Sequence, residues 1–301
     1  MNLTDIAQGH APPVALAAIG GHRALAMEVQ QRLSAAGLLE PPPDGLFGRV
    51  SFWALNEVMA RLGLSDTLSL DRTLSQALLS PDLAALYPLT PDGGAASRIV
   101  AAMQRRGWWL TRHPGCVNIV YVEGADAQFQ PNGNRPNWFN DQRVVIQVNA
   151  TGVPVITGQW VGTTEPGRYY TEVMQADPRG AARIAFGQYK SWRVGMHPQS
   201  KPDKAHEALV QVDDITVCRD LNQDYRRDGD ARYTGLFGIN QHAGFDMSVD
   251  NIGNASAGCL LGRSRQGHRE FMALIKADPR YQADKGFRFM TAVLPVADLH
   301  T

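Results

Sequence analysis

Residues 238–263, GINQHAGFDMSVDNIGNASAGCLLGR, set one histidine and one cysteine in a frame of glycine and other small residues. A thiol becomes a nucleophile at neutral pH only when a base or a positive field draws off its proton, and a histidine brought near by a hairpin can do this. His242 and Cys259 are the candidate pair. Residues 235–239, GLFGI, read as a short buried strand leading to His242, and residues 256–259, SAGC, as a tight turn. Small side chains in such a turn leave backbone N–H groups free to face a reacting carbonyl. Ser256 and Gly258 belong to this turn, and Asn240, Gly244, Ala257 and Arg263 flank it as candidate substrate contacts. The plain alternative is an inert cysteine ahead of the apolar Leu260 and Leu261, with His242 an ordinary loop residue.

The order I-x-x-H-x-G followed by I-G-x-x-S-x-G-C resembles the active-site signature of the L,D-transpeptidase family, whose enzymes act through a cysteine on the peptide stems of bacterial peptidoglycan. Residues 143–171 resemble that family's opening: two strands, a Thr-Pro-x-Gly-like turn at Thr163-Thr164-Glu165-Pro166-Gly167, then the aromatic Tyr169. The resemblance spans residues 141–263 with insertions. Ala257 stands where the family usually has a histidine, His242-Ala243-Gly244 stretches its histidine–glycine step, and Leu261 replaces an arginine or asparagine. The resemblance implies that Cys259 attacks a stem-peptide or cross-bridge carbonyl, that His242 takes its proton, and that a thioester forms without a cofactor. It also implies that a backbone carbonyl of the turn at 256–258 orients the histidine, with Asp246 and Asp250 as side-chain alternatives. Water resolving the thioester makes a hydrolase; an amine makes a transpeptidase.

A second resemblance lies near the amino terminus. Val29, Leu33 and Ala36 recur on one helical face ended by Gly37, and Leu55, Met59 and Leu62 repeat the spacing before Gly63. Between them Pro41-Pro42-Pro43 cannot be helical and presents the loop Asp44-Gly45-Leu46-Phe47-Gly48. This arrangement resembles the three-helix peptidoglycan-binding domain of wall hydrolases, with Asp44, Gly45 and Phe47 as candidate wall contacts. A helical packing module without a ligand is the alternative.

The chain of 301 residues is long enough for two domains. The expected class is α+β: a helical domain at 22–66, a helical linker at 67–107, and a mostly-β, L,D-transpeptidase-like catalytic domain with peripheral helices at 108–301. Within the linker, residues 97–106 read as a helix with Ile99, Val100 and Met103 inward, and Trp108-Trp109 as a packing anchor in preference to a glycan platform. Strands dominate residues 117–239, the loop at 124–140 flanks the cleft, and a late helix at 267–277 precedes a final strand at 287–294.

Lys+Arg and Asp+Glu number 29 each, giving no global field for nucleic acid, and no run is long enough for a membrane span. Residues 12–21 do not read as a secretory signal, so action on the wall implies signal-independent release, as for a phage lysin or an injected effector, or a lost leader. The same consideration favours hydrolysis. Of three cysteines at least one stays unpaired, and Cys116 and Cys218 read as structural. The rival chemistry is a zinc-dependent amidase or peptidase using His197, His206, Glu207 and His242, but His206-Glu207 lacks the second histidine of the helical zinc motif, and no metal is expected. Residues 220–224 open like a calcium loop, yet Tyr225 stands where glycine is needed. Residues 226–230 read as a solvated turn. A non-catalytic wall-binding protein is the remaining alternative.

Overall fold

A computed structural model describes residues 1–198 and 205–301. The first part of the chain is helical: α1 (Leu3–Gln8), β1 (Val14–Ala15), α2 (Arg23–Ala35), α3 (Arg49–Arg61), β2 (Ser69–Leu70), α4 (Arg72–Leu79) and α5 (Ala95–Arg105). The expected turns of α2 and α3 form, and each is followed by a glycine at positive φ, 80° at Gly37 and 69° at Gly63. Residues from Leu3 to Tyr87 share one apolar cluster, which Leu25, Val29 and Leu33 of α2 enter together with Leu55 and Val58 of α3.

Strands then follow: β3 (Asn118–Glu123), β4 (Asp141–Val148), β5 (Pro154–Thr163), β6 (Ala181–Ile184), β7 (Gly187–His197), β8 (His206–Gln211), β9 (Ile215–Asp220), β10 (Ala231–Gly235), β11 (Gln241–Ala243) and β12 (Leu260–Gly262). Helices α6 (Arg265–Ala277) and α7 (Pro279–Ala283) and strand β13 (Phe289–Pro295) complete the chain. Eight strands close in the order β11-β12-β5-β4-β3-β13-β7-β8, and β10-β9-β6 form a separate antiparallel sheet. The molecule is thus a mixed α/β structure with one large sheet. Among the described residues no helix is long and apolar enough to cross a membrane.

Both faces of the large sheet are covered, and β3 shows how. Ile119 and Tyr121 join a cluster with Trp192, Leu209, Leu260 and Phe271 of α6. Val120 and Val122 instead meet Ile99, Val100 and Met103 of α5. The period of two along the strand therefore divides its side chains between the two layers.

The helical segment is fixed to the sheet. Trp109 donates from Nε1 to Ser34 O at 2.9 Å, and its backbone N–H donates to Gln188 Oε1 at 2.9 Å. Arg112 N–H and Thr111 Oγ1 both donate to Gly37 O. Arg280 of α7, 1% exposed, pairs with Glu40 and Asp278 and donates to Val117 O.

Two local expectations are corrected. Residues 236–240 form no strand; β10 ends at Gly235, Leu236 is exposed, and His242 lies on the separate β11. Residues 226–230 are not simply solvated, because Arg227 reaches inward to Glu123 and Ile184 O. Its alkyl stem and planar head also cover Phe186.

Candidate active site

Strands β11 and β12 pair in parallel, with Gln241 beside Leu260 and His242 beside Leu261. The ladder extends back one step, since Leu260 N–H donates to Asn240 O at 2.9 Å. Side chains alternate along each strand, so Gln241 and Leu260 point to the core while Asn240, His242, Cys259 and Leu261 share the other face. Cys259 and His242 are therefore diagonal neighbours on adjacent strands.

The imidazole is almost wholly buried, and its Nδ1–H donates to Ala243 O at 2.9 Å. That bond leaves Nε2 with the free lone pair. The orienting group is thus the carbonyl of the following residue, not one from the turn at 256–258. Neither side-chain alternative serves, because Asp246 pairs with Arg265 and Asp250 accepts from Ser248. His197 stacks on His242 with centroids 4.0 Å apart and planes 17° apart, and His206 lies 5.8 Å away. Burial first, then the neighbouring His197, lowers the His242 pKa well below that of a free imidazole, opposed by the Ala243 carbonyl.

The cysteine is half-buried at the start of β12. Its Sγ accepts from Asn240 N–H at 3.4 Å and approaches Gly238 O at 3.6 Å; among the described residues no hydrogen bond joins it to His242. Burial pushes the thiol up to about 11, with the Asn240 N–H pulling the other way. Thiol and imidazole both rest neutral, so the arrangement is that of a base waiting for a proton rather than a preformed thiolate–imidazolium pair. Alkylation of Cys259 by iodoacetamide is expected to accelerate about tenfold per pH unit from pH 7 to pH 10, because that is how the thiolate fraction grows below its pKa. A rate already level by pH 7, followed by peptide mass mapping, would refute the neutral resting state.

The turn before the cysteine is tightly built. Ser256 is buried, donates from Oγ to Cys259 O at 2.9 Å, and accepts from Gly258 N–H at 3.0 Å. The expected contribution of Gly258 to an oxyanion site is thereby corrected, since its N–H is already committed. Among the described residues the N–H of Cys259 itself has no acceptor. Gly258 sits at φ 127°, and a Cβ there would lie 2.5 Å from Ala182 O. Gly258→Ala is expected to displace the turn and cost about 2 kcal/mol or more of stability, combining a forbidden φ with a backbone clash. Chemical denaturation would check this; an unchanged midpoint would mean that the turn yields.

The flanking residues serve the protein's own frame. Asn240 accepts from Gln211 N–H and donates to His197 Nδ1, both at 2.8 Å. Gly244 donates to Gly262 O, and a side chain there would strike Phe139. Arg263 donates from Nη1 to Met247 O and from its backbone to Val161 O. These three, expected as substrate contacts, thus also hold the frame of the site. Ala257 alone of that set is exposed beside the thiol. Cys116 and Cys218 are buried, in keeping with structural roles.

A buried charge cluster, not anticipated from the sequence, supports the turn from behind. Glu123, Asp141 and Glu165 lie with Arg183 and Arg227. Burial works to raise Glu123, but Arg227 and Arg183 overcome it and hold the carboxyl low; burial and the adjacent Glu123 carboxylate push Asp141 up. Thr164 bonds both acids through its hydroxyl, and its N–H donates to Asp141. Three residues on, Gly167 N–H donates to Ser256 O at 2.9 Å. The Thr163–Gly167 turn therefore connects the charge cluster directly to the cysteine turn. The loop at 124–140 closes the same side, with Asn137 Oδ1 accepting from Arg168 and Gly253 and Phe139 packed on Ile252 and Leu261.

Three of the four residues considered for zinc do gather, as His197, His206 and His242. Their rings stack or meet edge to face, and among the described residues no three His, Cys, Asp or Glu side chains are disposed to hold a metal ion. Asp220 spends both carboxylate oxygens on the N–H groups of Asp224 and Tyr225, closing its own loop.

The wall-contact candidates are also largely committed. Asp44 Oδ1 accepts from Gln30 Nε2 and Leu46 N–H, and Phe47 is buried against Phe52. Gly45, at φ 73°, donates to Gln30 Oε1. These residues shape the loop, and Leu46, 71% exposed, is what projects from it. No family model, curated protein or solved structure matches the chain.

Proposed function

We propose that the protein is a peptidoglycan-active cysteine enzyme in which Cys259 forms a thioester with a stem-peptide or cross-bridge carbonyl and His242 carries the proton. The observation that carries this reading is the parallel β11–β12 ladder, which sets nucleophile and base on one face with the histidine held in its Nδ1–H tautomer. As the scissile carbonyl approaches, the Sγ proton passes to Nε2 of His242 and sulfur attacks carbon. The Cys259 N–H lies at the turn where the resulting oxyanion would need a donor. The imidazolium then returns its proton to the departing amine.

Hydrolysis is the outcome proposed for the thioester, because Asn240, Gly244 and Arg263 are engaged within the protein and leave water as the ready acceptor. The L,D-transpeptidase-like domain organisation, with residues 22–66 as a wall-binding helical module, is part of the same proposal, as is action at the cell wall. The test is to incubate purified peptidoglycan with the wild type and identify products by mass. New amino termini are expected. Exchanged stems would replace hydrolysis by transpeptidation, and loss of activity to a chelator but not to a thiol alkylator would remove Cys259 from the chemistry.

A further inference from the structure

We propose that a cavity beside the histidine cluster is a second ligand site, for an anion carrying an apolar body, and that its occupant bears on His242 through Phe245 and His206. The cavity, of about 860 Å³, opens between α6 and the ends of β8 and β11 and does not include Cys259 in its lining. That volume suits a ligand of drug-like size. Phe245, Met272 and Ala273 supply apolar wall, while among the described residues Arg265, Arg269 and Lys276 place three cations around it against one carboxylate, Glu207.

Two of those cations are neutralised, Arg265 by Asp246 and Lys276 by Glu207. Arg269 bonds only the neutral Gln266 amide oxygen among the described residues. Behind the wall lies a further positive charge. Arg143 is fully buried, has no carboxylate partner among the described residues, and leaves Nε without any acceptor. It donates to Nδ1 of His268, a lining residue whose Nε2–H is spent on Glu207 O. Arg269 also has the Glu270 carboxylate within electrostatic reach, so among the described residues the positive charge left without a carboxylate is that of Arg143, and an anion in the cavity would meet its field.

The link to the catalytic face is physical contact. Phe245 and His206 line the cavity, and their rings stand 5.7 and 5.8 Å from that of His242. Phe245 and Asp246 both sit at positive φ, 59° and 62°, an uncommon conformation for a phenylalanine, and Asp246 accepts from the backbone N–H and Nη1 of Arg265.

The probes are 8-anilinonaphthalene-1-sulfonate, which combines an apolar body with one negative charge, and the neutral N-phenyl-1-naphthylamine. Fluorescence titration of the full chain is expected to give saturable sulfonate binding. Arg269→Gln should weaken it about tenfold without altering the neutral probe, and Ala273→Trp, at an exposed lining position, should abolish both. Sulfonate binding that is indifferent to Arg269→Gln, or that survives Ala273→Trp, would overturn the site. Saturating sulfonate should also change the Cys259 alkylation rate at least twofold in wild type and leave Ala273→Trp unaffected. An unchanged wild-type rate would overturn the coupling. None of these readouts depends on turnover of peptidoglycan, so they stand apart from the proposed reaction.

Discussion

On the proposed mechanism, Cys259→Ser is expected to reduce peptidoglycan turnover to less than about a thousandth of the wild-type rate, the scale on which loss of a nucleophile is measured. The hydroxyl is a far weaker acid than the thiol, and His242 is a poor base for it because burial disfavours the imidazolium. Folding should be untouched. Among the described residues Sγ has hydrogen-bond contacts to Asn240 N–H and Gly238 O, which a serine oxygen can approximate. The informative comparison is with His242→Gln and the double variant. Residues that act as a unit lose activity non-additively, so the double variant should be no slower than the worse single one. A serine variant with more than a tenth of the wild-type rate and an intact melting midpoint would end the cysteine mechanism.

Arg280→Ala should be the most damaging single change to stability outside the core, by about 3–5 kcal/mol, since it breaks a buried ion pair from one side. The guanidinium joins Glu40, in the connection from α2 to α3, to Asp278 and the start of β3. Removing it strands two carboxylates with no access to water. Glu40 already sits high because burial outweighs the pull of Arg280 and Lys190, and without Arg280 it would take up a proton on folding. Glu40→Gln, which keeps an acceptor for the guanidinium, should cost distinctly less. Denaturant midpoints with unchanged slopes would measure both, and a loss under about 1 kcal/mol for Arg280→Ala would show that water or a neighbour compensates.

Much of the helical part was legible because local rules decide it. Apolar residues at i, i+4 and i+7 with a glycine at the end specify α2, and Ile99, Val100 and Met103 specify α5 in the same way. That Cys259 and His242 lie on neighbouring strands agrees with the small-residue frame from which they were chosen. What the sequence did not reveal depends on strand register. His197, His206 and His242 come from three different strands, and only the pairings of β7 with β8 and of β8 with β11 bring them together. The charge cluster behind Thr164 gathers Glu123, Asp141, Glu165, Arg183 and Arg227 from five separate segments, none of which carries a local signature. Asn240, Gly244 and Arg263 looked available because proximity in sequence says nothing about which backbone groups a side chain will satisfy. The same held for Asp44, whose partner Gln30 lies a helix away.

The proposed pair rides on a ladder, while the chain between its members, residues 244–258, makes a long excursion outside that ladder. Spacing of the two groups is consequently inherited from backbone pairing, and whatever approaches them is shaped by the excursion. A change of length within residues 244–258 would therefore alter the surroundings of the two side chains without altering the pairing that spaces them.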